Sequence, residues 1–250
     1  MSDQAPTAKL SWEAEGVRFS AFPPPSVNFE VKPLWEALTG KPPEEVQERP
    51  QLGLRNEFGP FLDEHLFVTQ QPARIDIIVG VHPQKLEILD LPSAGPYHRA
   101  AQAHAEVVRK WLKMAPSLGR IAFAPTLLHR VASVEEGYNR LRELLPRLPL
   151  DDGAQNMNWQ INRPRGSKII NGITINRLSK WSLVTLQRMQ IAAGAGGVAV
   201  SKSTASISAC KLELDIFTDP IEPLPAERVG QLFDELIVTA QEISERGDIA

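Results

Sequence analysis

Five cations fall close together in the second half of the chain, Arg163, Arg165, Lys168, Arg177 and Lys180, with Trp159 and Trp181 at either end of the run. Guanidinium and ammonium groups at that density can line a groove for phosphates. An indole beside them offers a face on which a base can stack, the combination found in single-stranded nucleic-acid sites. Asn162, Asn176 and Gln160 could add hydrogen bonds to bases or sugars. The same residues admit a plainer reading, in which the tryptophans are core and the cations pair with acidic groups of the same protein or of a protein partner.

The run belongs to a longer acid-free span. Residues 153–212 contain no Asp or Glu, while adding Arg188, Lys202 and Lys211 to the five cations. With the whole chain at a formal net charge of −3, the span at +8 leaves −11 on the remainder. A protein of pI near 6.0 does not coat nucleic acid generically, so any basic function is local to this span.

Other chemistries find less support. His65, His82, His98, His104 and His129 are scattered, and His98 and His104, six apart, point to nearly opposite sides of an ideal helix. No convergent metal set and no cofactor is expected. The stretch from Gly196 to Ser203 approaches a phosphate-binding loop, but Ser201 replaces its second glycine, and a strand rather than a helix follows. There is no Gly-x-Ser-x-Gly elbow, and Cys210, in a β-prone run, reads as a small buried residue. Asp76, Glu213 and Asp215 sit among strand residues and could build the acidic site of a hydrolase, although nothing in their spacing requires it.

The elements that must carry these residues are readable from pattern and punctuation. Leu10–Trp12 and Val17–Phe22 flank Glu15-Gly16 as two strands flank a turn, and Pro33 to Gly40 reads as a short helix. Leu66–Thr69 and Arg74–Val81 form a hairpin, with Ile75, Ile77 and Val79 on one face and Asp76 and Ile78 on the other. Apolar spacing predicts helices over 98–115, 134–145 with Ser133 as N-cap, and 225–246. Arg120–Ala124 reads as a short strand.

In the basic span, Trp159, Ile161 and Arg163 alternate with polar neighbours, and Asn171-Gly172, between Ile169-Ile170 and Ile173-Thr174-Ile175, is a strong hairpin signal. Trp181–Leu186 and Ile207–Phe217 continue a meander, and Gly194–Gly197 reads as a flexible loop. The fold class is therefore α+β, an antiparallel sheet with three main helices packed against it. An acidic α+β portion, 1–150, would meet a basic meander plus C-terminal helix, 151–250, in one integrated domain. The helix over 225–246 could also mediate a homodimer.

At 250 residues and 42% hydrophobic content the chain can fill a core without staples. Its single cysteine cannot form an internal disulfide. Met1-Ser2-Asp3-Gln4 lacks the features of a signal peptide, and nowhere do 18 apolar residues run together. A cytoplasmic protein with no membrane partner is expected.

Certain segments carry a resemblance. With Asn158-Trp159-Gln160-Ile161-Asn162-Arg163-Pro164-Arg165, Ile175-Asn176-Arg177-Leu178-Ser179-Lys180-Trp181, Leu214-Asp215-Ile216-Phe217-Thr218 and the ending Glu242 to Asp248, together with Ala73-Arg74-Ile75-Asp76, the chain resembles a family of sporadically distributed, uncharacterised prokaryotic proteins of about this length. The resemblance supplies no catalytic residue. The patchy distribution implies, by analogy, a mobile gene set such as phage defence or a toxin–antitoxin pair, and hence a protein partner encoded nearby. The expectation is a non-enzymatic binding protein acting through the basic hairpin surface. Nucleic-acid or nucleotide binding, and a hydrolase built on Asp76 and Asp215, stand as alternatives.

Overall fold

The structure is a computed structural model that describes residues 10–82, 90–151, 153–194, 197–220 and 223–248, with the side chains of 188–194 and 197–205 outside the description. Its described residues form one antiparallel sheet of ten strands: β1 (Glu13–Phe22), β2 (Glu45–Arg49), β3 (Leu54–Phe61), β4 (Glu64–Gln71), β5 (Arg74–Gly80), β6 (Arg120–Val131), β7 (Asn158–Asn162), β8 (Arg165–Gly166), β9 (Thr174–Gly194) and β10 (Gly197–Thr218). The spatial order is β2-β3-β4-β5-β1-β6-β10-β9-β7, with β8 also on β9. Helices α1 (Trp35–Thr39), α2 (Tyr97–Leu112), α3 (Val134–Leu144) and α4 (Ala226–Arg246) complete the chain.

The two-residue period of the strands decides which face the helices take. Phe19, Ile77, Phe123, Leu212 and Ile216 are fully buried or nearly so, whereas the alternate residues Arg18, Asp76, Ala124, Glu213 and Asp215 are half-buried. The helices converge on the apolar side. Phe19 meets Trp111 of α2 and Phe233 of α4, at ring separations of 5.7 and 5.2 Å, and Phe123 meets Phe233 at 6.0 Å. Cys210 reaches the Gly137 carbonyl of α3 on the same side. Each of these large side chains contributes about 1.5–3 kcal/mol through the apolar area it removes from water. The opposite face has no helix on it among the described residues.

Local signals account for the helix ends. The Ser133 hydroxyl accepts the Glu136 N–H at 3.1 Å, and Glu135 and Glu136 lie in the first turn of α3 where the helix dipole favours them. The five-residue α1 is held from outside: the Glu57 carboxylate accepts the N–H groups of Leu34 and Trp35, at 2.9 and 3.1 Å. At the other end Gly40 is left-handed, with φ 77°.

Several expectations are corrected. Residues 13–22 form one strand, with 10–12 outside it, and not a hairpin, because Glu15-Gly16 is absorbed as a bulge, seen as a register shift between Ala14 and Gly16 against β6. β6 runs on from Ala124 to Val131, through Pro125. Its pairing with β10 skips from Glu213↔Thr126 to Ile216↔Phe123, so the missing proline N–H falls where that ladder is interrupted. β2 and β3 lie in a stretch to which the sequence assigns no element, and every β2 residue is exposed, as suits a charged edge strand. The Asn171-Gly172 turn is present, with Gly172 at φ 84°, but its first arm is Arg165–Gly166 and not Ile169-Ile170. Gly194 and Gly197 pair across the end of a hairpin, with 195–196 outside the described residues.

Candidate functional site

The cations of the basic span are divided among three places. Extended backbone from Trp159 to Arg165 sends every second side chain to the helix side, and there Arg163 and Arg165 meet α4. The Arg163 guanidinium donates from Nε and Nη2 to the Asp248 carboxylate, at 2.6 and 2.7 Å. Arg165 donates to Glu242 at 3.0 Å and to the Thr239 hydroxyl at 2.7 Å. Arg177, on β9, is 5% exposed among these groups. Burial and then the neighbouring Arg165 lower its pKa, while Glu242 and Asp248 offset part of the effect.

Glu235 extends the arrangement into the turn, accepting from the Ser167 hydroxyl at 2.6 Å and from the Lys168 N–H at 2.8 Å. Glu235, Thr239 and Glu242 stand at i, i+4 and i+7 of α4, so one helix stripe holds residues 165–168, while Asp248, past the helix end, holds Arg163. These contacts attach the segment to the helix and leave its arginines turned inward. The carboxylates come from the C-terminal helix and the residues after it.

The other candidates lie apart from that group. Lys168 is exposed at the turn. Lys180 is on the uncovered face, paired with Glu213 at 3.0 Å. Trp159 is half-buried on the helix side, in register with Trp181. Trp181 is 0% exposed, its ring edge-on to Trp12 at 6.3 Å, so it has no face on which a base could stack. Arg188 and Lys202 have side chains outside the description.

The acidic candidates share the uncovered face without meeting. Asp76 on β5 and Asp215 on β10 are three strands apart, about 14 Å at ordinary strand spacing, beyond the reach of a cooperating carboxylate pair. Asp76 is tied to Arg74 at 2.8 Å and accepts the Ser20 hydroxyl at 2.6 Å. Asp215 differs. Burial raises its pKa, against the opposing influence of Arg18, Arg120 and Arg74.

Cys210 is buried, and burial pushes its thiol up to about 12, which leaves no thiolate for nucleophilic work near neutrality. The sequence did not suggest that His65 and His82 would approach one another. Their rings stand 5.3 Å apart, and the pKa of His65 is lowered by burial first and by His82 second. Among the described residues no group of three or more His, Cys, Asp or Glu side chains could hold a metal ion.

One element reaches past the sheet. β7 last pairs with β9 at Ser182, and β6 last pairs with β10 at Ser208. Beyond those points β9 and β10 pair with each other, out to Gly194↔Gly197. Leu183 still meets Gly137 of α3 at the base. The remaining ribbon is roughly 40 Å long at about 3.3 Å per residue. It contains Arg188 and Lys202 and no acidic residue.

No protein-family model matches this chain, and no curated protein matches it. No helix among the described residues is long and apolar enough to cross a membrane.

Proposed function

We propose that this is a binding protein and not a catalyst, and that it grips a protein partner through the acid-free β9–β10 ribbon. The observation that carries the reading is the length of ribbon extending past β6 and β7. A two-stranded ribbon buries too little to be stable by itself in water, and its outer edges offer unpaired N–H and C=O groups to another chain. An added strand satisfies those groups, and a partner of acidic character suits a ribbon whose sequence carries cations and no acidic residue. The basic surface of the hairpin acts at its far end, since its near end is engaged by α4. The motif resemblance supports a partner encoded beside this protein in a defence or toxin–antitoxin set.

Leu186 and Ile207 face one another in register, so an Asn-Gly turn joining them removes the ribbon without disturbing the sheet. Intact and shortened proteins are to be purified from the native host and compared by mass spectrometry and by the ratio of absorbance at 260 and 280 nm. We expect a stoichiometric protein that accompanies the intact form and is lost from the shortened one. Loss of bound nucleic acid in its place would favour the nucleic-acid alternative, and identical profiles would refute a role for the ribbon.

A further inference from the structure

The uncovered face holds a cleft of about 500 Å³, bordered by Arg18, Thr126, Gln160, Lys180, Glu213 and Asp215. It lies where the β6–β10 ladder skips Leu214 and Asp215 opposite Pro125 and Ala124. Most cations of this face are paired: Arg74 with Asp76 at 2.8 Å, Lys180 with Glu213 at 3.0 Å and Lys211 with Glu15 at 2.7 Å. Arg120 is stacked against Phe217 and Phe22, at 4.3 and 5.1 Å.

Arg18 is different. Like that of Arg120, its Nε is buried with no hydrogen-bond partner among the described residues, but Arg18 borders the cleft where Arg120 does not, and Asp215 is close enough to interact with it electrostatically without forming an ion pair. A guanidinium placed for architecture would be expected to close on its carboxylate, because an unmet buried donor is costly. Here the two groups stand on either side of an accessible cleft, an arrangement suited to a ligand that bridges them.

We propose that this cleft binds a sugar carrying one anionic group, with the phosphate or carboxylate on Arg18 and the hydroxyls on Glu213, Asp215, Gln160 and Thr126. The planar guanidinium fork suits either anion. Two carboxyls, an amide and a hydroxyl supply the mixture of acceptors and donors that a polyol needs. The volume is that of a small-metabolite site. This site is independent of the ribbon, which lies at the far end of β9 and β10.

Isothermal titration calorimetry with ribose 5-phosphate, gluconate, ribose and inorganic phosphate tests the assignment. We expect ribose 5-phosphate or gluconate to bind, and ribose and phosphate to bind at least about 10-fold more weakly. Arg18→Gln should weaken the anionic sugar by about 10- to 150-fold, the range for hydrogen bonds to a charged group. Arg49→Gln, at an exposed edge position, should leave it unchanged. A thermal melt confirms that each variant is folded, and Arg18→Lys supplies a second, charge-retaining variant that should lie between the two. Absence of binding by both anionic sugars, equal affinity for phosphate alone, or full affinity in Arg18→Gln would each overturn the proposal.

Discussion

Arg163 grips Asp248 with two parallel hydrogen bonds, at 2.6 and 2.7 Å, joining the start of the basic segment to the second residue past the end of α4. The Asp248 side chain is 8% exposed and that of Arg163 25%, so water screens the pair only in part. The guanidinium holds the Asp248 carboxyl below its ordinary range, and Asp248 in turn raises Arg163. We expect Arg163→Ala and Asp248→Asn each to cost about 1–3 kcal/mol in urea unfolding, with the double variant costing little more than either. The acid dependence has a definite sign. A carboxylate whose folded pKa is depressed adds stability that is fully present above its unfolded pKa, about 3.9, and is lost as pH falls through the folded value. Asp248→Asn should therefore flatten the lower part of the acid unfolding curve.

His104 gives a second dependence on pH, in a higher window. It is fully buried beneath the sheet, with Nε2 2.9 Å from the Ile77 carbonyl, and burial lowers its pKa to about 4. The folded protein keeps the ring neutral while the unfolded chain protonates near 6.5, so stability is complete above about 6.5 and declines toward pH 4. The loss from this residue is of order 3 kcal/mol across that window. His104→Gln, which cannot titrate, should remove most of the decline as measured by thermal melts between pH 4 and 7. His65, whose pKa is also lowered, accounts for a residual slope of the same sign.

Two glycines near the ends of α4 should respond oppositely to alanine. Gly247 follows the helix at φ 78°, and a Cβ there would run into the backbone carbonyl of Leu144. Both the strain and the collision oppose Gly247→Ala, which should destabilise by more than about 2 kcal/mol. Gly230 lies inside the helix with open space where its Cβ would be. Gly230→Ala should stabilise by about 0.5–1 kcal/mol through helix propensity alone, and paired urea curves would show both signs.

The periodic elements were legible because their patterns are local. Val229, Leu232, Phe233, Leu236 and Ala240 mark one face of α4 whatever they pack against, and Ser133 with Glu136 marks the start of α3. β2 gave no such signal, since an exposed edge strand has no buried face to impose alternation. The site was less legible, because charge along a chain does not say where carboxylates will arrive from. Arg163 and Arg165 were visible as cations, but their inward orientation depends on Glu242 and Asp248, about 80 residues later. A signal was available in the helix itself, where Glu235, Thr239 and Glu242 form a polar stripe beside the apolar one. Arg18 also stood out in principle, as a lone charge between Val17 and Phe19. Its open setting depends on Asp215, a long-range neighbour that one sequence does not identify.

Amide hydrogen exchange across the β9–β10 ribbon tests the binding account most directly. In the isolated protein, the outward N–H groups of 183–194 and 197–207 should exchange quickly while those of 208–218, within the sheet, exchange slowly. Addition of the co-purifying partner should then slow the ribbon and leave the sheet unchanged. A ribbon that exchanges as quickly with the partner bound as without it would contradict the account.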